Sequence, residues 1–367
     1  MKSERNWGRL GMKFNRYTLS DLATIKYGKN KKKVLSDSGT VPIFGTGGLM
    51  GFAATSLYDK PSVLIGRKGT IGKVKYVEHP FWTVDTLFYT IINTDLVIPK
   101  YLFYVMSLID LNKYNEGTTI PSLRTETLNR LEFDIPNLEE QRKILSCLNP
   151  IDKKIELNNA INNNLLQQSE ALFKKRFLSC NELPFGWARM ALGDISDMSA
   201  GGDKPQIISN QKTEEHQYPV YSNGISDEGL YGFTTDYKIS AESVTVSARG
   251  TIGFVCLRHI PYTPIVRLVT LVPHTNIVSA KYLYLWLKSV PIHGTGTTQQ
   301  QLTVPDFRKT EILIPPKADM REFTETVNSL FQQVWANQEE NTKLADIRDT
   351  LLPRLMSGEL DVSSIEI

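Results

Sequence analysis

Residues 65–73 read Ile-Gly-Arg-Lys-Gly-Thr-Ile-Gly-Lys, two basic side chains set among glycines and ending in Gly-Lys. Such a stretch raises the question of a loop that cradles nucleotide phosphates. That loop requires four residues between its glycines, then Lys and a Ser or Thr. Here five residues separate Gly66 from Gly72, and Val74 follows Lys73. The hydroxyl that would hold magnesium is missing, and the match fails. Gly45–Gly51 misses the dinucleotide fingerprint, because Met50 stands where a glycine is needed. The histidines His79, His216, His259, His274 and His293 are scattered, without the spacing that holds a metal. No Gly-X-Ser-X-Gly elbow and no Asn-Pro-Pro-Tyr-type amine-methylation site is present, and Asp85 and Asp134 are lone acids. The residues point to no catalytic site and no metal site.

What remains is basic and hydroxyl-rich. Lys29, Lys31, Lys32 and Lys33 follow Lys26 without an intervening acid. Such a run serves as a solvated face or as phosphate contacts that position a protein on DNA. Arg67 and Lys68 sit in one glycine turn and Arg249 in another; Lys204 joins them as a basic candidate. An arginine in a turn is either structural or a reader of guanine O6 and N7. Gly117–Arg124 offers Thr118, Thr119, Ser122 and Arg124, and Gly294–Leu302 offers Thr297, Thr298, Gln299, Gln300 and Gln301. Gln suits adenine N6 and N7, and hydroxyls suit several base edges. The frame is shared but its interior differs, as in two readers of different sequences or in a turn that has drifted.

These residues recur because the chain is written twice. Gly69-Thr-Ile-Gly72 returns at Gly250-Thr-Ile-Gly253, 181 residues later, and Gly51-Phe52 and Tyr101-Leu102 return at the same offset. Ile135-Pro136 returns at Ile314-Pro315, 179 residues on, and Pro42–Gly48 resembles Pro219–Gly224. A period this long is a duplicated module rather than a solenoid unit. Each copy opens with short strand-like runs, such as Ser62–Gly66 and Ser243–Ser247, separated by Gly, Pro and Asn. Each closes with a long helical stretch, from about Leu138 to Phe177 and from about Ala318 to Met356.

Both helical stretches carry a heptad seam. Ile144, Leu148, Ile151, Ile155, Leu165 and Leu172 follow alternating four-three spacing, as do Phe323, Val327, Leu330, Val334, Leu344 and Leu351. Asn158 and Asn162 interrupt the first seam, and Asn337 and Asn341 the second. A forty-residue helix is about 60 Å long, more than one small domain covers. The expectation is an antiparallel coiled coil in which Asn158 and Asn162 meet Asn341 and Asn337 and fix register.

Composition sets the frame. The 367 residues suffice for two or three domains, and 41% hydrophobic with 22% charged residues is an ordinary globular balance. A net charge of +3 makes any basic surface local. Met1–Arg16 lacks the apolar core of a signal peptide, and Asp95, Pro99 and Lys100 interrupt the apolar run from Leu87 to Ile109. Cys147, Cys180 and Cys256, far apart and without Cys-X-X-Cys spacing, read as reduced buried thiols of a cytoplasmic protein, neither disulfides nor zinc ligands. The expected organisation is α+β: recognition module 1–137, helix 138–180, module 181–317, then helix and tail 318–367.

The chain resembles the specificity subunits of type I restriction-modification enzymes. The resemblance rests on the duplicated Arg-Lys-Gly-Thr-Ile-Gly and Ala-Arg-Gly-Thr-Ile-Gly turns, on residues 117–144, and on their partner segment 296–323. It runs from about Tyr17 to Leu360, and departs from the pattern at Lys317–Met320, where the first copy has Leu138–Gln141. It implies two target recognition domains, each reading half of an interrupted double-stranded DNA site. It also implies a coil that spaces them and docks two methyltransferase subunits. Those partners bind S-adenosylmethionine and flip an adenine from each half-site; restriction subunits using ATP and magnesium join in a full restriction system. The chain itself would hold no cofactor and perform no chemistry. A coil of about 60 Å spans at most roughly 18 base pairs. A duplicated coiled-coil scaffold that never touches DNA is the reading left open beside this one.

Overall fold

A computed structural model describes residues 12–178, 185–294 and 300–365. The chain divides into two compact units, Met1–Leu157 with Glu340–Ile367, and Asn158–Glu339.

In the first unit, β1 (Phe14–Thr18) leads into a short α1 (Leu19–Leu22). Thr18 starts that helix because its side chain and the Asp21 carboxylate cap each other's backbone amides. A four-stranded antiparallel sheet follows, from β2 (Ala23–Tyr27), β5 (Ser62–Gly66), β6 (Val74–Val77) and β8 (Leu87–Ile92), in the order β2-β8-β5-β6. A smaller sheet is built from β3 (Val41–Gly45), β4 (Gly48–Ala53) and β7 (Trp82–Thr83), in the order β4-β3-β7. Every residue of β5 is buried, since helix α2 (Pro99–Ser107) packs against β5 and β6 while the strand sits between two neighbours. After α3 (Thr125–Asn129), strand β9 (Glu132–Pro136) pairs antiparallel with β1, Phe14 opposite Pro136. Arg16 reaches Asp134 across this pair at 3.1 Å, so that lone acid is structural.

Strand β9 feeds α4 (Leu138–Phe173) directly. The buried Gln141 side chain sets the junction. It accepts from the Ile98 amide at 2.8 Å and donates to the carbonyls of Leu96 and Pro136, each at 2.9 Å. Met320 holds the matching place in the second copy, where Ser279 Oγ donates to its sulfur at 3.9 Å.

The second unit repeats the plan. β10 (Ala188–Ala191) and α5 (Leu192–Ile195) precede a sheet of order β11-β17-β14-β15, made of β11 (Ser196–Ala200), β14 (Ser243–Val246), β15 (Val255–Arg258) and β17 (Val269–Pro273). The smaller sheet has the order β13-β12-β16, with β12 (Tyr218–Tyr221), β13 (Leu230–Thr234) and β16 (Thr263–Pro264). Helices α6 (Ala280–Ser289) and α7 (Val304–Phe307) lead to β18 (Glu311–Ile314), which pairs with β10 and feeds α8 (Lys317–Ser357). Sheet order is thus identical in the two copies, and the expected α+β duplication with long helices is the architecture found.

The helices pack antiparallel within each unit. In the first, Ile144 and Leu148 of α4 share a core with Leu352, Leu355 and Met356 of α8. In the second, Phe173 and the Phe177 that follows it in a π-turn (Lys174–Leu178) meet Phe323 and Val327 of α8, together with Tyr282 of α6. Asn162 and Asn337 meet as expected. Asn337 Nδ2 donates to Asn162 Oδ1 at 2.7 Å, and Asn162 Nδ2 donates to the Val334 carbonyl at 3.3 Å. Asn158 is buried and Asn341 half-buried.

The seam differs from the heptad expectation towards the ends. Leu172 is 39% exposed, and Phe173 beside it is buried instead. Leu330 and Leu351 are half-buried, while Phe331 and Leu352 take the interior places. A straight helix has 3.6 residues per turn, so a strict seven-residue register drifts by about 20° per heptad and the inward position moves by one residue. Ile151, Ile155, Leu165 and Leu344 are half-buried, and Val334 is buried. Among the described residues no helix is long and apolar enough to cross a membrane.

Candidate nucleic-acid interface

Strand β5 ends at Gly66, and the chain must turn there to return as β6. Gly69 turns it with φ +86°, and Gly250 does the same in the second copy with φ +69°. Little crowds either position, so it is the left-handed backbone rather than space that favours glycine. The turn is tied to the start of β8, since the amides of Arg67 and Lys68 donate to the Thr86 carbonyl at 2.8 and 3.2 Å.

The second candidate loop closes onto this turn. Leu123 N donates to the Arg67 carbonyl at 2.9 Å, Gly69 N donates to Pro121 O at 2.9 Å, and Lys68 bridges to Ser122. Asn115 Oδ1 shapes the loop by accepting from the amides of Gly117 and Ser122, both at 2.9 Å. The lysine run arrives at the same end of the sheet, because Lys29 N donates to Thr83 O at 2.8 Å and its carbonyl accepts from Trp82 Nε1 at 2.9 Å. Three segments distant in sequence therefore meet beside the C-terminal ends of β2 and β5.

The side chains differ in freedom. Lys29, Lys32, Lys33, Lys68, Thr118 and Thr119 are exposed, whereas Lys31, Arg67 and Ser122 are half-buried. Lys31 Nζ lies 3.4 Å from the Met50 carbonyl. Arg67 donates to the Asp85 carbonyl at 2.9 Å and lies over the Tyr27 ring at 5.0 Å, which holds its fork in one orientation. Arg124 pairs with Glu116 at 3.1 Å, so its charge is partly spent at the loop base.

In the second unit the glycine turn and the described end of the polar loop meet in the same way. Leu302 N donates to Ala248 O at 3.0 Å, the counterpart of the Leu123–Arg67 bond. Arg249 donates to Gln301 Oε1 at 3.3 Å, joining the glycine turn to the glutamine loop. Gln300 is exposed. Thr297, Thr298 and Gln299 lie outside the described residues, as does Cys180; Cys256 is buried as expected, whereas Cys147 is only half-buried. Lys204 donates to the Tyr231 hydroxyl at 2.8 Å and stands over that ring at 4.7 Å, at the rim of the small sheet.

Sequence reasoning missed Tyr27 and Asp85 as supports of Arg67, because a stacking ring and a backbone carbonyl carry no motif. It also missed Asp152, which gathers Lys100 at 2.9 Å, Arg348 at 3.4 Å and the Tyr104 hydroxyl between α2, α4 and α8. Burial raises the Asp152 carboxyl, but these three partners outweigh it and hold the group below the ordinary carboxylate range. Among the described residues no cluster of three or more His, Cys, Asp or Glu is placed to hold a metal ion.

Two tandem modules of the same sheet order, each closing a polar loop onto a glycine turn and each continuing into a long helix, define a duplicated α+β protein. The sequence model described as "Type I restriction modification DNA specificity domain" matches residues 12–167 and again 184–345, and the chain belongs to that family. It is similar to a chain assigned as a type I specificity subunit in Mycoplasma pneumoniae, 26% identical over 336 residues, 89% of this chain and 91% of the relative. It is also similar to the specificity subunit of the type I restriction enzyme MjaIX of Methanocaldococcus jannaschii, 26% identical over 353 residues, 84% of this chain and 80% of the relative. The crystal structure of a type I restriction-modification S subunit from M. genitalium shares the fold, with a TM-score of 0.54 at 19% identity over 96% of this chain and 98% of that one.

Proposed function

We propose that this chain is the DNA specificity subunit of a type I restriction-modification complex and carries no catalytic step itself. Each unit would apply its turn-and-loop surface to one half of an interrupted double-stranded site. Exposed lysines would neutralise phosphates and set register, while the paired turn and loop read base edges. The helices α4 and α8 would set the spacer and dock two methyltransferase subunits, with restriction/translocase subunits added in a restricting complex. Adenine methylation and site-specific cleavage would belong to that complex. S-adenosylmethionine, ATP and magnesium would be bound by the partner subunits.

The observation that carries the reading is the duplicated clip. Leu123–Arg67 and Leu302–Ala248 hold the same frame in each unit, yet the frame displays Ser122 beside Lys68 in one and Gln301 beside Arg249 in the other. A shared frame with different polar contents in its two copies is what two half-site readers require and what a scaffold does not. The test is methylation mapping by long-read sequencing, with and without this chain, beside its partner methyltransferase. The expected result is a two-part motif, methylated at adenine on both strands and lost without the chain. Methylation that is indifferent to the chain refutes the proposal.

A further inference from the structure

The two frames present a guanidinium from opposite strands. Strands β5 and β8 pair with Ile65 opposite Phe88, and β14 and β17 pair with Val246 opposite Val269. Both matches carry the repeat's offset, which places Arg67 at Ala248 and Thr86 at Arg267. The backbone agrees, since Gly28 N donates to Leu87 O in one copy and Gly201 N to Leu268 O in the other. Tyr27, which precedes Gly28 and carries the Arg67 guanidinium on its ring, becomes Ala200. The first unit therefore has Arg67, Thr86 and Tyr27 where the second has Ala248, Arg267 and Ala200. The arginine, its facing residue and its platform have exchanged together.

We propose that Arg267 is the base-reading guanidinium of the second unit, occupying the place that Arg67 holds in the first; this rests on the specificity-subunit reading above. Arg267 is exposed and lines a cleft of about 360 Å³ with Arg249, Gln301, Ala200 and Ala248. No carboxylate lines that cleft among the described residues; Arg249 donates to Gln301 Oε1 within it, and neither positive charge is neutralised there, which suits a negatively polarised acceptor brought from outside. A guanine edge presents O6 and N7 with the spacing of an arginine fork.

The turn that aims Arg267 is built at a cost. Val266 and Arg267 hold φ of +52° and +60°, a left-handed backbone that a β-branched residue strongly disfavours. Such strain persists where surrounding bonds over-determine it, often at ligand clamps. Here the amides of Val266 and Arg267 donate to Gly202 O and Gly201 O, both at 2.8 Å. Asn223 Nδ2 donates to the Val266 carbonyl at 2.7 Å, while its Oδ1 accepts from the Ala248 amide at 2.7 Å. Asn223 is thus a positioning residue that locks the Arg267 turn to the turn carrying Arg249.

The experiment maps methylation for the full chain, with its methyltransferase partner, as wild type, R267A, R267K and R67A. The expected result is that R267A and R267K relax one G·C position in a single half of the motif by about tenfold to a hundredfold, the discrimination of a bidentate pair. R67A should relax a position in the other half only. R267K keeps the charge but not the fork, so it carries the test if R267A fails to co-purify with the partner. An unchanged motif in both Arg267 variants overturns the assignment. So does an even loss of methylation at all sites in variants that co-purify, which is the signature of a phosphate contact. A wild-type chain that directs no interrupted motif overturns the specificity reading and this assignment with it.

Discussion

The Asn162–Asn337 pair makes the sharpest test of how the long helices are held in register. Both side chains are nearly sealed from water, at 7% and 5% exposure. Asn337 donates to Asn162, Asn162 donates to Val334 O, and Gln333 Nε2 donates to Asn337 Oδ1 at 2.7 Å. Removing Asn337 alone leaves Asn162 Oδ1 buried without its donor, a cost of about 2 kcal/mol. N162A strands the Asn337 amide similarly but spares its bond from Gln333, and should cost about 1–2 kcal/mol. With both gone neither buried amide is stranded, and the exposed Gln333 can turn to water, so N162A/N337A should fall short of the sum by about 1 kcal/mol. Replacing both by leucine should do more than restore stability. Buried apolar side chains favour the coil, and N162L/N337L should gain about 1 kcal/mol or more while loosening the register that the amides enforce. Hydrogen exchange of α8 peptides around Val334 and Asn337, in the full chain with its partner, reads these differences locally. Each 1.4 kcal/mol is about a tenfold change in exchange rate. Strictly additive single costs, or faster exchange in the leucine pair, would refute the argument that this contact trades stability for register.

Other expectations concern charge, thiols and length. D152A leaves Lys100 and Arg348 facing each other without their carboxylate, and should cost about 2–4 kcal/mol in chemical denaturation. Because the Asp152 carboxyl is held below its ordinary range, its stabilising effect is full above about pH 4 and is lost as pH falls through the lowered value. D152N should therefore flatten the acid limb of the stability profile and leave its neutral shape intact. Burial pushes the Cys256 thiol up to about 12, and a thiol-alkylating reagent at pH 8 should leave it unlabelled until the second unit unfolds. K32A/K33A should reduce the salt dependence of DNA binding by the assembled complex by about 0.9 per lost phosphate contact in the log–log slope, without altering the motif. Deleting one heptad from both α4 and α8 should shorten the spacer between half-sites by about three base pairs, since seven residues rise about 10.5 Å; an unchanged spacer in the methylation map would sink the ruler.

Local pattern and long-range contact carry different parts of this structure. The duplication, the two long helices and the asparagines in their seams could be read from residue order, because period, heptad spacing and glycine turns are properties of neighbouring residues. The same local rule failed at Leu172 and Leu330, where the inward places go to Phe173 and Phe331, because helical twist accumulates and the partner surface decides which side chain it reaches. Turns and loops were legible as candidates, since Arg67, Ser122, Arg249 and Gln301 stand in conspicuous glycine, hydroxyl and glutamine contexts. Their union was not. Arg67 meets Leu123, and Ala248 meets Leu302, more than fifty residues away, only because the sheet and the following helices fold the loop back. Nothing local marks Tyr27 as the platform for Arg67, Asp152 as the meeting point of three partners, or Asn223 as the tie between two turns. Each of these roles is a hydrogen bond or ring contact between distant residues. By itself the sequence determined that the module occurs twice and offered polar and basic candidates without Arg267 among them; tertiary packing alone decided which of them share a surface, how each is held, and which side chains support them.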